Sequence, residues 1–82
     1  MLRISKKEFV HINRTMKNKV WYYRTQKGMS LKQLSRMTGI SVAELNNIEN
    51  ECTSDILLSN AIALSKSLKV DLYELFCLTK LY

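Results

Sequence analysis

The sequence predicts an all-α fold of five short helices in one compact domain, and three observations carry that prediction. Apolar residues recur at spacings of three and four instead of alternating. Proline is absent and the only glycines are Gly28 and Gly39, so few positions can interrupt a helix. Four pairs, Ser5 with Glu8, Ser30 with Gln33, Ser41 with Glu44 and Asp71 with Glu74, have the spacing of a capping box. In that motif two side chains satisfy amides that the first helical turn leaves unbonded. At 82 residues, 9.6 kDa and 46% hydrophobic residues, the chain can fill one modest core and no second one.

The first helix is expected to start near Lys6, behind the Ser5–Glu8 box, with Ile4 and Phe9 as the flanking apolar staple. Phe9, Ile12, Met16, Val20 and Tyr23 then carry one apolar stripe to about Lys27, where Gly28 ends it. Asn13, Thr15 and Asn18 weaken the middle and leave room for a break near Asn13. Residues 1–15 form an N-terminal extension, helical or an arm, ahead of a domain over residues 16–82. A short strand over the run FVHI is the alternative for that extension.

The second helix is expected over residues 31–37, capped by Ser30 and stapled by Met29 and Leu34, with Leu31, Leu34 and Met37 inward. Gly39 sits where it must stop, because glycine adopts a left-handed conformation there without steric cost. Ser41 caps a third helix over residues 42–50, with Ile40 and Leu45 as staple and Leu45 and Ile48 inward. After a polar turn, the run ILLSNAIALSKSLK forms a fourth helix that turns Leu58, Ala61, Leu64, Ser65 and Leu68 to the core. Asp71 opens a fifth, stapled by Val70 and Leu75. Trp21, Tyr22, Tyr73, Leu78, Leu81 and Tyr82 exceed what this core needs. Some are therefore expected at the surface, where apolar area on the fifth helix would suit a two-fold interface.

The net charge of +6 is unevenly spread. Arg3, Lys6, Lys7, Arg14, Lys17, Lys19, Arg24, Lys27, Lys32 and Arg36 all precede Met37, against Glu8 alone, and the remainder is mildly acidic. Beside two helices joined by a glycine turn, a polyanion partner explains this block better than a solvated face, since neutralising phosphates releases condensed counterions. Nucleic acid outranks a membrane surface, because no segment is both basic and apolar enough to lie in one. No apolar run approaches the roughly 20 residues of a membrane span. Residues 1–10 lack the apolar core of a signal peptide, so a cytoplasmic location is expected. Cys52, Cys77 and His11 stand apart and no glycine-rich phosphate loop is present. The expectation is therefore no enzyme, no metal and no cofactor.

Setting the third helix at 100° per residue with Leu45 and Ile48 inward turns Ala43, Asn46, Asn47 and Asn50 outward. Asparagine is a mediocre helix former, whereas Lys, Glu and Gln are the usual choices for a solvated face. It can, however, donate and accept together, as the adenine edge requires, and a small methyl such as that of Ala43 can approach a thymine methyl. The same face also fits a merely solvated surface with asparagines near a fraying end. Glu44 is assigned to the capping box instead of base contact. Arg24 and Glu49 fall on the inward flanks of their helices, where a partly buried pair would fix the angle of the third helix.

The run Ser30, Leu34, Ser35, Gly39, Ile40, Ser41, Leu45, Ile48, Glu49 resembles the lambda-repressor and Cro-like, or XRE-like, helix-turn-helix family. The pattern covers about residues 17 to 76 and includes Arg24, Leu64, Leu68, Val70, Leu72 and Leu75. The resemblance implies a compact five-helix, lambda-repressor-like DNA-binding domain. It also implies a sequence-specific transcriptional regulator, a repressor and homodimer, whose third helix reads the major groove of double-stranded DNA. By position, base-edge contacts fall to Val42, Ala43, Asn46 and Asn47. Phosphate contacts fall to Ser30, the Leu31 amide, Lys32, Ser41 and Asn50, and Arg24 with Glu49 matches a salt bridge common in the family. The alternative on the same fold is an antitoxin-like module whose essential contact is a protein partner.

The chain departs from the family pattern in several places. Ser35 and Ser65 replace alanines, so their hydroxyls need backbone acceptors. Glu51 replaces a glycine after the third helix, and Cys52 and Thr53 replace basic residues, so this loop should grip phosphate less well. Val42 and Ala43 replace polar readers, which leaves direct readout to Asn47 and methyl contacts.

Overall fold

Residues 17–53 and 55–78 are described by a computed structural model, in which they form five α-helices. These are α1 (Val20–Gln26), α2 (Leu31–Thr38), α3 (Val42–Glu49), α4 (Leu58–Leu68) and α5 (Leu72–Leu75). The Ser5–Glu8 box, the FVHI alternative and the extension over 1–15 lie outside the described residues, as do Leu81 and Tyr82.

The expected long first helix is not continuous. Residues 17–19 are non-helical and α1 begins only at Val20. The reason is Asn18, whose Oδ1 accepts from the Val20 amide at 3.0 Å while its Nδ2 donates to the Ile48 carbonyl at 2.7 Å. One side chain thus starts α1 and satisfies a carbonyl at the end of α3. The interval of Met16, Val20 and Tyr23 mimicked helical continuity, but a local side-chain bond competes with the helix at this asparagine.

The cap signals hold in different degrees. At Ser30 both halves of the box form, with Ser30 Oγ accepting from the Gln33 amide and Gln33 Oε1 accepting from the Ser30 amide. Gly39 then ends α2 at φ 79°. Ser41 Oγ accepts from the Glu44 amide at 3.1 Å, but the Glu44 carboxylate does not return to the cap. Asp71 accepts from the Tyr73 and Glu74 amides, and here too the glutamate is elsewhere. Glu74 Oε2 pairs with Lys19 Nζ and accepts from the Tyr23 hydroxyl, both at 2.8 Å. The Lys19 amide also donates to the Leu75 carbonyl at 2.8 Å, so α5 is tied to the start of α1. Lys19 and then Tyr23 hold the Glu74 carboxyl below its ordinary pKa, and Glu74 in turn raises those of Lys19 and Tyr23.

One core joins the helices: Val20, Leu34, Ile40, Leu45, Ile48, Ile56, Ala61, Leu64, Leu68, Leu75 and Phe76 are all buried. The outer staple residues Met29 and Val70 pack against it. Two residues expected inward are not. Met37 is 54% exposed, because the inner line of α2 runs through Leu31, Leu34 and Thr38, about 100° from it. Leu58 is 39% exposed, since α4 centres its buried arc on Ala61, Leu64 and Leu68. Ser65 meets its requirement by donating to the Val70 carbonyl at 2.5 Å, whereas no hydrogen bond among the described residues engages the Ser35 hydroxyl. None of the described helices is long and apolar enough to cross a membrane.

Candidate nucleic-acid interface

The α2–turn–α3 unit is built outward from the core. Leu34 of α2 and Leu45 and Ile48 of α3 are buried, and Ile40 closes the turn between them. Thr38 helps to end α2, its hydroxyl donating to the Leu34 carbonyl and accepting from the Ile40 amide. The opposite face of α3 is open: Val42, Ala43, Asn46, Asn47 and Asn50 are all exposed.

Their side chains are not equally available. Asn50 Nδ2 donates to Asn46 Oδ1 at 3.3 Å, so these two engage each other one turn apart. The Asn47 amide has no hydrogen-bond partner among the described residues, and its full donor and acceptor capacity faces solvent. Val42 keeps 39% of its surface exposed, giving apolar area beside Ala43. Glu44 is half-buried and, without the return bond to the cap, has a carboxylate free of the role the sequence assigned to it.

The residues expected on phosphates cluster at two helix starts. Ser30 and Ser41 cap α2 and α3, the Leu31 amide opens α2, and Lys32 is exposed in its first turn. First-turn amides carry no intrahelical acceptor, so both starts present positive partial charge. Asn50, the C-cap of α3, lies at the far end of the same helix. Next to it Glu51 takes φ 56°, a left-handed conformation that costs a non-glycine residue about 1–2 kcal/mol. The chain thus keeps the turn that a glycine would make and accepts the strain. Cys52 continues it, its amide bonded to the Asn47 carbonyl at 2.8 Å.

Beneath this surface Arg24 and Glu49 form a forked pair. Nε meets Oε2 at 2.5 Å, Nη2 meets Oε1 at 3.0 Å, and Nη1 donates to the Met29 carbonyl at 2.7 Å. Their side chains are 12% and 5% exposed. The guanidinium therefore links α1, the turn before α2 and the last residue of α3. Sequence reasoning found this pair but missed Asn18, which grips α3 at the adjacent carbonyl. The signal was an asparagine two residues before an apolar helix start, the position of a local cap.

Between Lys17 and Ala43 the chain carries no acidic residue. Glu74 and Glu49 reach across to pair with Lys19 and Arg24. Lys17, Lys27, Lys32 and Arg36 are exposed and have no ion pair among the described residues. Among the described residues these four lie on the α1–α2 side, against the exposed Lys66 and Lys69 at the end of α4. A family model described as helix-turn-helix matches residues 22–75, from within α1 to the last residue of α5. Comparison with curated proteins finds no match, and neither does comparison with solved structures.

Proposed function

Because the chain belongs to the helix-turn-helix family, whose XRE and lambda-repressor-like members are DNA-binding transcription regulators, we propose that it reads an operator as a homodimeric repressor. The observation that carries this reading is the exposed Asn47 side-chain amide, without a hydrogen-bond partner among the described residues, on a helix anchored from beneath by Leu45 and Ile48. Asn47 pairs with an adenine edge in the major groove, while Val42 and Ala43 press on thymine methyls and Asn46 supports a neighbouring base. Ser30, the Leu31 amide, Lys32, Ser41 and Asn50 hold the flanking backbone and set the register.

Selection from a random DNA library tests this directly. A two-fold enriched motif is expected, and recovery of no motif would remove the regulator reading. Asn47→Ala should cost about 1–3 kcal/mol and relax one base position per half-site, whereas Lys32→Ala should weaken every sequence alike. Equal losses on all sequences for Asn47→Ala would mean that it reads no base.

The dimer reading is supported by Leu57, Leu58 and Ile62, exposed at 52%, 39% and 40% at the start of α4. Leu58 and Ile62 stand one turn apart on one flank, with Leu57 beside them at the cap. A two-fold axis through this strip would pair it with itself. Leu57→Glu, at a position outside the core, should leave the helical signal unchanged and convert a dimer to a monomer in sedimentation. An unaltered mass would place the interface elsewhere.

A further inference from the structure

We propose that the groove between the 27–29 turn and the outer face of α2 is a docking site for an acidic protein segment carrying an apolar side chain. Lys27, Gly28, Met29, Gln33, Arg36 and Met37 line it. Its chemistry is mixed in a way that a phosphate backbone does not need. Lys27 and Arg36 are exposed cations without an ion pair among the described residues. Met37 leaves more than half of its surface in water, although the periodicity of the helix offered it to the core. Met29 continues the apolar floor, half-buried against the core cluster.

The charge of the occupant follows from the surroundings. Among the described residues no acidic side chain lines the groove, and the carboxylates of Glu74 and Glu49 are committed to Lys19 and Arg24. The Gln33 side chain uses its oxygen to hold the Ser30 amide, which leaves its NH2 donors without a partner among the described residues. Every polar side-chain function left over there is therefore a donor, which suits carboxylates. The floor argues for more than an anion. Methionine is unbranched and polarizable, and it repacks around varied apolar side chains at binding surfaces. A segment with a leucine-like residue between acidic ones would cover Met37 and neutralise both cations at once. The groove shares no residue with the α3 face, so the two surfaces can be tested separately.

The test is an amide and methionine-methyl NMR titration of the full chain. The probe is a decapeptide of aspartate and glutamate with one central leucine, compared with the same peptide carrying serine instead. Shifts confined to Gly28, Met29, Gln33, Arg36 and Met37 are expected, with the serine peptide about fivefold weaker for want of a buried leucine. Arg36→Glu and Lys27→Glu, both at exposed positions, should each remove most of the shift. Met37→Ser should erase the difference between the two peptides. Equal binding of the two peptides to the native chain would overturn the apolar half of the proposal. Shifts on Ala43 and Asn47 instead would overturn the location. Perturbation of Gly28 and Met37 by a short DNA duplex, with none from either peptide, would assign the groove to phosphate and overturn the proposal.

Discussion

Replacing Arg24 with alanine will destabilise the fold by about 3–5 kcal/mol, the largest loss expected from any single polar side chain here. The Glu49 side chain is 5% exposed, so losing its partner leaves a nearly buried carboxylate that no other cation among the described residues meets. The Met29 carbonyl loses a donor in the same step. Domains of this size carry roughly 5–15 kcal/mol of total stability, so the urea midpoint should fall by about a fifth or more. The cost is that of stranding a charge, not the net worth of the pair. A double variant, Arg24→Met with Glu49→Leu, should therefore recover most of the loss. A single-variant loss under about 1 kcal/mol would mean that the pair behaves as a screened surface contact. The functional consequence is separable. Even where the double variant folds well, nothing rigid then links the last residue of α3 to the turn before α2, and operator affinity should fall.

How much of this was legible in the sequence depended on whether the governing contact was local. The Ser30 box, the Gly39 stop and the buried Leu34, Leu45 and Ile48 rest on neighbours within one or two turns, and those rules act on short windows. Arg24 with Glu49 spans 25 positions, yet it could be read because each residue lay on the inward flank of its own helix. The start of α1 was missed for a different reason. The local bond from the Val20 amide to Asn18 leaves no mark on the apolar periodicity, and the reach of Asn18 over 30 positions to Ile48 cannot be read from a short window. The failed half of the Asp71 box has the same origin, since Glu74 gains more from Lys19 and Tyr23 than from the cap. Met37 and Leu58 show a further limit: spacing fixes the period of a helix, but its rotation is decided by the neighbours it meets. On the outer face of α3 the outward set of Ala43, Asn46, Asn47 and Asn50 followed from geometry once Leu45 and Ile48 were inward. The inequality between a paired Asn46 and an Asn47 side chain without a partner among the described residues depends on side-chain rotamers, which spacing does not fix.

Raising salt from 50 to 200 mM will weaken operator binding by about a thousandfold, near the lower end of the range for six to ten neutralised phosphates. The sign follows from counterion release, and the size from the charge that remains available. Lys17, Lys27, Lys32 and Arg36 are exposed without ion pairs among the described residues, whereas Lys19 and Arg24 are spent on Glu74 and Glu49. The loop behind α3 adds none, since Glu51, Cys52 and Thr53 offer no cation to the backbone. About three of these four, neutralising phosphates in each subunit of a dimer, give about six released counterions and a log–log slope near −5. Lys32→Ala, counted twice in a dimer, should flatten that slope by about 2, because each lost phosphate contact removes about 0.9 from it. Asn47→Ala should lower affinity at every salt concentration and leave the slope unchanged, since a neutral amide on a base edge displaces no counterion. Loss of less than tenfold over the same salt range would mean that the basic face serves another partner. A slope that changed with Asn47 but not with Lys32 would reverse the assignment of reader and anchor.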